Sequence, residues 1–257
     1  MDNFNRFFND NMIELLNCNL NNYIFKEEDK DKIYNDLEIY HNSTISNNNY
    51  NGVPTLQDWY GPGDGIFPDV HKHHKPLLEY VKKYNIKETL DCGAGCGMIS
   101  KYIYATNNNI DITCIENNKI HFDQLVENFE KNTDIIKPDI TVPANKIRSN
   151  IHNINLPDNS KEFVFTCTVL MHIPYIAAIA SLIELTRVSS KYICHIENVN
   201  NVINAVVPGE TQLPEERLSI DYIKLYKLLG YDIKEYELSS HPGEPNCKFI
   251  YLLVEKK

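Results

Sequence analysis

Three glycines at alternate positions, Gly93, Gly95 and Gly97, constrain what this chain can fold into more than any other feature. They follow the short run Thr89-Leu90-Asp91 and precede Met98 to Ala105, which reads as a helix. A strand, a glycine turn and a helix in that order form the opening unit of a parallel α/β sheet. Glycine lets the backbone turn sharply and come close to a ligand. A group lying at the helix start meets N–H donors that have no partner within the helix. The motif therefore implies an α/β fold with a ligand at the end of a first strand.

The alternation continues downstream. Pro76 is read as opening a helix at its first position, with Leu77, Leu78, Val81 and Tyr84 as the apolar side. Further strands are expected at Ile110–Ile115, Lys146–Asn150, Glu162–Thr166 and Lys191–Ile196, and helices at Ile120–Asn132 and Ile176–Leu185. A helix over Ser219–Leu229 ends at Gly230, a residue suited to a left-handed cap. Two last strands, Tyr231–Leu238 and Lys248–Glu255, are separated only by the polar stretch Ser239–Cys247, which suggests an antiparallel pair. The chain of 257 residues is long enough for one such domain with an appended segment. Residues 76–257 are assigned to the α/β domain. Residues 1–75, rich in Asn and Asp, are assigned to a helical and irregular extension that serves as a substrate lid.

Composition excludes several classes. A net charge of −10 argues against a broad nucleic-acid footprint. No apolar run suggests a membrane span, and the start lacks the pattern of a secretory signal. Seven irregularly spaced cysteines do not form a disulfide framework, so a reduced, cytoplasmic protein is expected. Cys92 and Cys96 sit inside the glycine loop, and Cys114, Cys167 and Cys194 lie in strands, so no metal site is expected.

The glycine spacing discriminates between ligands. Dinucleotide loops read G-x-G-x-x-G, whereas this one reads G-x-G-x-G with Asp91 two residues ahead. An acid there suits an ammonium group and would repel a pyrophosphate. Glu116 follows the second expected strand, where a carboxylate can accept from ribose hydroxyls. Asp91-Cys92-Gly93-Ala94-Gly95-Cys96-Gly97 resembles motif I of class I S-adenosylmethionine-dependent methyltransferases. The stretch from Leu156-Pro157 through Val169-Leu170-Met171-His172-Ile173-Pro174 is similar to the fourth-strand region of their small-molecule members.

The resemblance implies a Rossmann-like, seven-stranded, mostly parallel sheet with an antiparallel C-terminal pair, and S-adenosyl-L-methionine as cofactor. It places Asp91, Gly93, Ala94, Gly95 and Gly97 at the methionine end of that cofactor, Glu116 and Asn117 at the ribose, Asn150 and Ile151 at the adenine, and Cys167 near the methionine moiety. His172 is a candidate base, with a packing role at a helix start as the alternative. Glu197, at the end of the fifth strand, is a candidate for substrate contact or catalysis. Tyr60, His73 and His74 are candidate substrate residues, although Trp59 and Tyr60 could equally anchor the extension and His71-Lys72-His73-His74 could be a polar lead-in to a helix.

The expected acceptor is a small molecule, foremost a hydroxyl of a sugar or nucleotide sugar, because the C-terminal segments look loosely like those of surface-sugar methylases. An RNA methyltransferase and a catalytically silent binding module are the alternatives. No nucleic-acid or membrane partner is expected.

Overall fold

The computed structural model describes residues 11–20, 24–46, 67–130, 141–199, 219–241 and 244–257. Seven helices are described: α1 (Met12–Leu16), α2 (Lys30–Ser46), α3 (Phe67–Lys83), α4 (Met98–Thr106), α5 (Lys119–Glu130), α6 (Tyr175–Val188) and α7 (Tyr222–Leu228). The strands are β1 (Glu88–Cys92), β2 (Asp111–Glu116), β3 (Ala144–Arg148), β4 (Lys161–Cys167), β5 (Ser189–Asn198), β6 (Tyr231–His241) and β7 (Glu244–Lys256).

These strands form one sheet in the order β3-β2-β1-β4-β5-β7-β6. The pairs β1–β2, β2–β3, β1–β4 and β4–β5 are parallel. β7 runs antiparallel to both β5 and β6. The order reverses between β1 and β4. In open α/β sheets, the crevice beyond the strand ends at such a reversal is where ligands bind. The glycine loop leaves β1 at that crevice.

Side-chain alternation along the sheet feeds two cores. Leu90, Cys92, Val164, Ile193, Leu252 and Val254 join α6, α7 and the N-terminal helices on one face. Ile112, Cys114, Phe163, Phe165, Cys194 and Leu253 join α3, α4 and α5 on the other. Coverage on both faces leaves the central strands buried over most of their length, their polar residues included.

Several boundaries differ from the sequence expectation. Pro76 lies inside α3, which starts nine residues earlier at Phe67. The proline at the helix start is Pro68, where the missing N–H costs nothing. Helix α3 also runs across the 75/76 position taken as the end of the extension. β3 ends two residues before Asn150, because its pairing with β2 stops at Glu116↔Arg148. Asn150 is thereby left in the loop after the strand. α7 is shorter than expected: Asp221 caps it by accepting from Lys224 N at 3.0 Å. The last two strands reach His241 and Glu244, into the stretch expected to be a linker.

The described part of residues 1–75 is integral to the first core. Met12, Leu15, Leu16, Ile33 and Leu37 are buried there. The hydroxyl of Tyr175 on α6 donates to Leu16 O at 2.9 Å and to Cys18 O at 3.1 Å. Asn19 forms an isolated bridge with Ile220.

Candidate active site

The glycine loop is tied to the end of β2. Gly93 N and Ala94 N both donate to Ile115 O, at 2.8 and 2.9 Å. Gly95 N donates to Glu116 Oε2 at 2.9 Å, and Asn118 N to Glu116 Oε1 at 2.8 Å. Asn128 on α5 holds the far side by donating to Cys96 O at 2.9 Å.

Two glycines are required for different reasons. Gly97 has φ of +84°, and a Cβ there would overlap Leu125 and Phe129 in the second core. Gly95 has φ of +56°, and a Cβ there would meet nothing within 4 Å. That open space lets a ligand approach the backbone of the loop closely.

Asp91 sits under the loop, 2% exposed, and accepts from Ser100 Oγ at 2.7 Å. Burial pushes its pKa up to about 7, the Ser100 bond opposes this, and the nearby Glu116 adds to it. A buried carboxyl in this condition is stabilised as the anion by an arriving cation. Glu116 is also buried. Its two oxygens accept one backbone amide each, and an ionised carboxylate offers about four acceptor positions, so capacity for two hydroxyls remains. This charge pattern fits a ligand that carries an ammonium and a diol.

The adenine-side residues named from sequence also converge. Asn117 Nδ2 donates to Asn150 Oδ1 at 2.9 Å. Asn150 and Ile151 are buried in the loop after β3. The next residue, His152, faces His41 of α2 with 3.1 Å between His41 Nδ1 and His152 Nε2, and Tyr40 packs on its ring. Both imidazole pKa values are lowered, His152 to about 3, with burial as the largest cause. The far end of this loop is held by the Glu184–Arg187 pair. Ile154 N donates to Glu184 Oε2, and Arg187 donates to Ile154 O and Leu156 O.

Cys167 ends β4 and is buried. The chain then turns through Thr168, with φ of +55°, into a short 3₁₀ turn, Leu170–His172. His172 lies on the outer side of this turn, and partial burial of its ring lowers its pKa. A neutral imidazole at this position can accept a proton.

Glu197 does not face solvent. It is fully buried, and its carboxylate accepts from Val169 N at 3.1 Å and Leu170 N at 3.2 Å. Burial pushes its pKa up to about 7, against those amide bonds. From sequence it is a candidate for substrate contact or catalysis. In the structure its oxygens are taken up by the backbone of the turn that carries His172.

The other substrate-side expectations fare unevenly. Tyr60 and Trp59 lie outside the described residues, as does the side chain of His73. His74 is buried on α3. Among the described residues no group of three or more His, Cys, Asp or Glu side chains could hold a metal ion.

Sequence reasoning missed Ser100, Asn128, His41 and His152. Asn128 and the His41–His152 pair have partners 32 and 111 positions away, so no local pattern marks them, and Ser100 meets Asp91 nine residues back only once the glycine turn has folded α4 against β1. Sequence reasoning also missed Glu184–Arg187, whose i, i+3 spacing on a helix was the available signal but does not show its grip on the loop.

The seven-stranded order, with a ligand crevice at its reversal, defines a Rossmann-like α/β protein. More particularly, the chain has the fold of class I S-adenosylmethionine-dependent methyltransferases. No protein-family model matches the sequence, and no curated protein matches it. Solved structures do. The magnesium protoporphyrin IX methyltransferase ChlM from Synechocystis PCC 6803, with bound SAM, is similar at 14% identity and a TM-score of 0.56, over 86% of this chain and 97% of that one. A putative sarcosine dimethylglycine methyltransferase from Galdieria sulphuraria matches at 12% identity and 0.50, over 72% and 86%. The [4+2]-cyclase SpnF matches at 14% identity and 0.51, over 79% and 97%. The presence of a cyclase among these neighbours means that the fold alone does not settle the reaction.

Proposed function

We propose that this protein is an S-adenosylmethionine-dependent methyltransferase acting on a small molecule. The observation that carries the reading is the pairing of the buried Asp91 carboxyl with Glu116 around a glycine loop that is open at Gly95. Asp91 and the backbone of Gly93, Ala94 and Gly95 would hold the methionine end. Glu116 would accept from the ribose hydroxyls, with Asn117 beside it. Asn150, joined to Asn117, would lie at the adenine amino group. Ile151 would cover the adenine face, and Cys167 would lie near the sulfur.

When bound, the cofactor supplies a methyl group on a sulfonium. The protein's own task is to align a nucleophile and remove its proton. For a hydroxyl acceptor, His172 would take that proton. Glu197 would position the turn rather than act as base, since its oxygens are engaged by backbone amides. A hydroxyl of a sugar or nucleotide sugar is the acceptor to screen first, and the segment containing Tyr60 and His73 would supply specificity. The net charge of −10 favours a small molecule over RNA.

Calorimetry with S-adenosylmethionine and S-adenosylhomocysteine tests the cofactor assignment. Saturable binding of both, abolished in Asp91→Ala, is expected. Absence of binding to either would refute it. Mass spectrometry of nucleotide sugars incubated with enzyme and cofactor, read as the gain of one methyl group, then tests the acceptor class.

A further inference from the structure

Four buried side chains form a chain of hydrogen bonds behind the site. Tyr226 on α7 meets His195 Nε2 at 2.6 Å. His195 Nδ1 meets Thr166 Oγ1 at 2.7 Å. Thr166 in turn bonds to Glu197, which also accepts from the amides of Val169, Leu170 and Met171. All four side chains are fully buried. The rings of Tyr222 and Tyr226 pack on His195 at 5.2 and 5.5 Å and close it from water.

Donor counting assigns a direction to this chain. Once Glu197 is ionised its carboxylate only accepts, so the Thr166 hydroxyl donates to it. Thr166 Oγ1 then has only lone pairs for His195, so Nδ1 carries the imidazole proton. Nε2 is left bare and accepts from the Tyr226 hydroxyl. Every member is satisfied in one arrangement, as a buried polar network requires.

The far end of the network is the turn that carries His172. Val169, whose amide Glu197 holds, packs directly against Gly93 of the glycine loop. The Leu170–His172 turn closes with His172 N donating to Val169 O at 3.0 Å. A change in the Glu197 acceptor thus reaches both the loop and the candidate base.

We infer that Tyr226, His195 and Thr166 form a one-way hydrogen-bond relay that holds Glu197 as the acceptor fixing the Val169–His172 turn against the glycine loop. Tyr226 and Glu197 are then positioning residues for the cofactor site, although Tyr226 lies on a helix that contributes nothing to the loop itself. The effect on ligand affinity rests on the methyltransferase reading; the direction of the relay does not.

Two measurements on the full chain test this. Imidazole-nitrogen NMR at about pH 8, where the carboxyl is ionised, should find His195 as the Nδ1–H tautomer in wild type. In Glu197→Gln the carboxamide N–H faces Thr166, the hydroxyl reverses, and His195 should move to Nε2–H. Tyr226→Phe should keep Nδ1–H but shift the Nε2 resonance, since its donor is gone. By calorimetry, S-adenosylhomocysteine affinity should fall about tenfold in Glu197→Gln and about threefold in Tyr226→Phe, the range for coupled network members.

Wild-type His195 as Nε2–H would overturn the relay. So would a Glu197→Gln protein that keeps the Nδ1–H tautomer. If Glu197→Gln does not fold, Tyr226→Phe decides: an unshifted Nε2 resonance with unchanged affinity overturns the inference. A wild-type protein that binds no S-adenosylhomocysteine counts against the cofactor reading, and its tautomer pattern still decides the relay.

Discussion

Alanine at Gly95 and alanine at Gly97 should harm the protein in separable ways. Both residues have positive φ, +56° and +84°. Placing a Cβ in the left-handed region costs about 1–2 kcal/mol at either site. At Gly97 the added methyl also overlaps the side chains of Leu125 and Phe129. Both belong to the second core and are fully buried, so they have little room to move. Overpacking of that kind adds about 1–3 kcal/mol. Gly97→Ala should therefore lose about 2–5 kcal/mol, and Gly95→Ala only about 1–2. Urea denaturation of the ligand-free proteins measures both. The order inverts for binding at equal folded fraction. The Gly95 methyl enters the open space at the loop, so S-adenosylhomocysteine affinity should fall by at least about tenfold, the 1.4 kcal/mol equivalent of losing one close backbone contact. A Gly95→Ala protein that binds as wild type would refute the placement of the ligand against the loop. Equal destabilisation of the two variants would refute the packing argument.

Other consequences follow from the buried charges. Asp91 and Glu197 both have pKa values raised to about 7, above an unfolded value of about 4, so the folded state holds their protons more tightly. The stability they contribute is present in full below about pH 4 and is lost as pH rises through about 7; thermal melts of the ligand-free protein between those limits should record this fall, with a shallower slope in Asp91→Asn. An ammonium ligand prefers the ionised Asp91, so its affinity should rise with pH through the same window, and a flat profile would count against that contact. Arg187→Ala strands Glu184, whose side chain is 6% exposed, and should cost about 3–5 kcal/mol in urea denaturation. Tyr175→Phe leaves the carbonyls of Leu16 and Cys18 without its hydroxyl, and should cost about 1–3 kcal/mol by the same assay.

The strand–loop–helix unit and the succession of elements were legible because their signals are local. Asp91, Gly95 and Glu116 lie within one contiguous stretch, and hydrophobic period tells strand from helix over a few residues. The lead-in to α3 was misread at Pro76. A proline inside a helix and one opening a helix carry the same local signal, and only the packing of the neighbouring turns separates them.

The sequence by itself determined the layered α/β architecture, the loop at the end of β1 and the charge beside it. All three depend on residues close in the chain and on their solvent preference. Tertiary structure alone decided what Glu197 does, because its partners Thr166, Val169 and Leu170 sit about thirty residues away on the neighbouring strand and turn. From sequence Glu197 is an acid at a strand end, free to face a substrate. Inside the sheet it is a buried acceptor that holds the turn bearing His172. The burial and pairing of a polar group are properties of its neighbours in space, and no spacing along the chain encodes them.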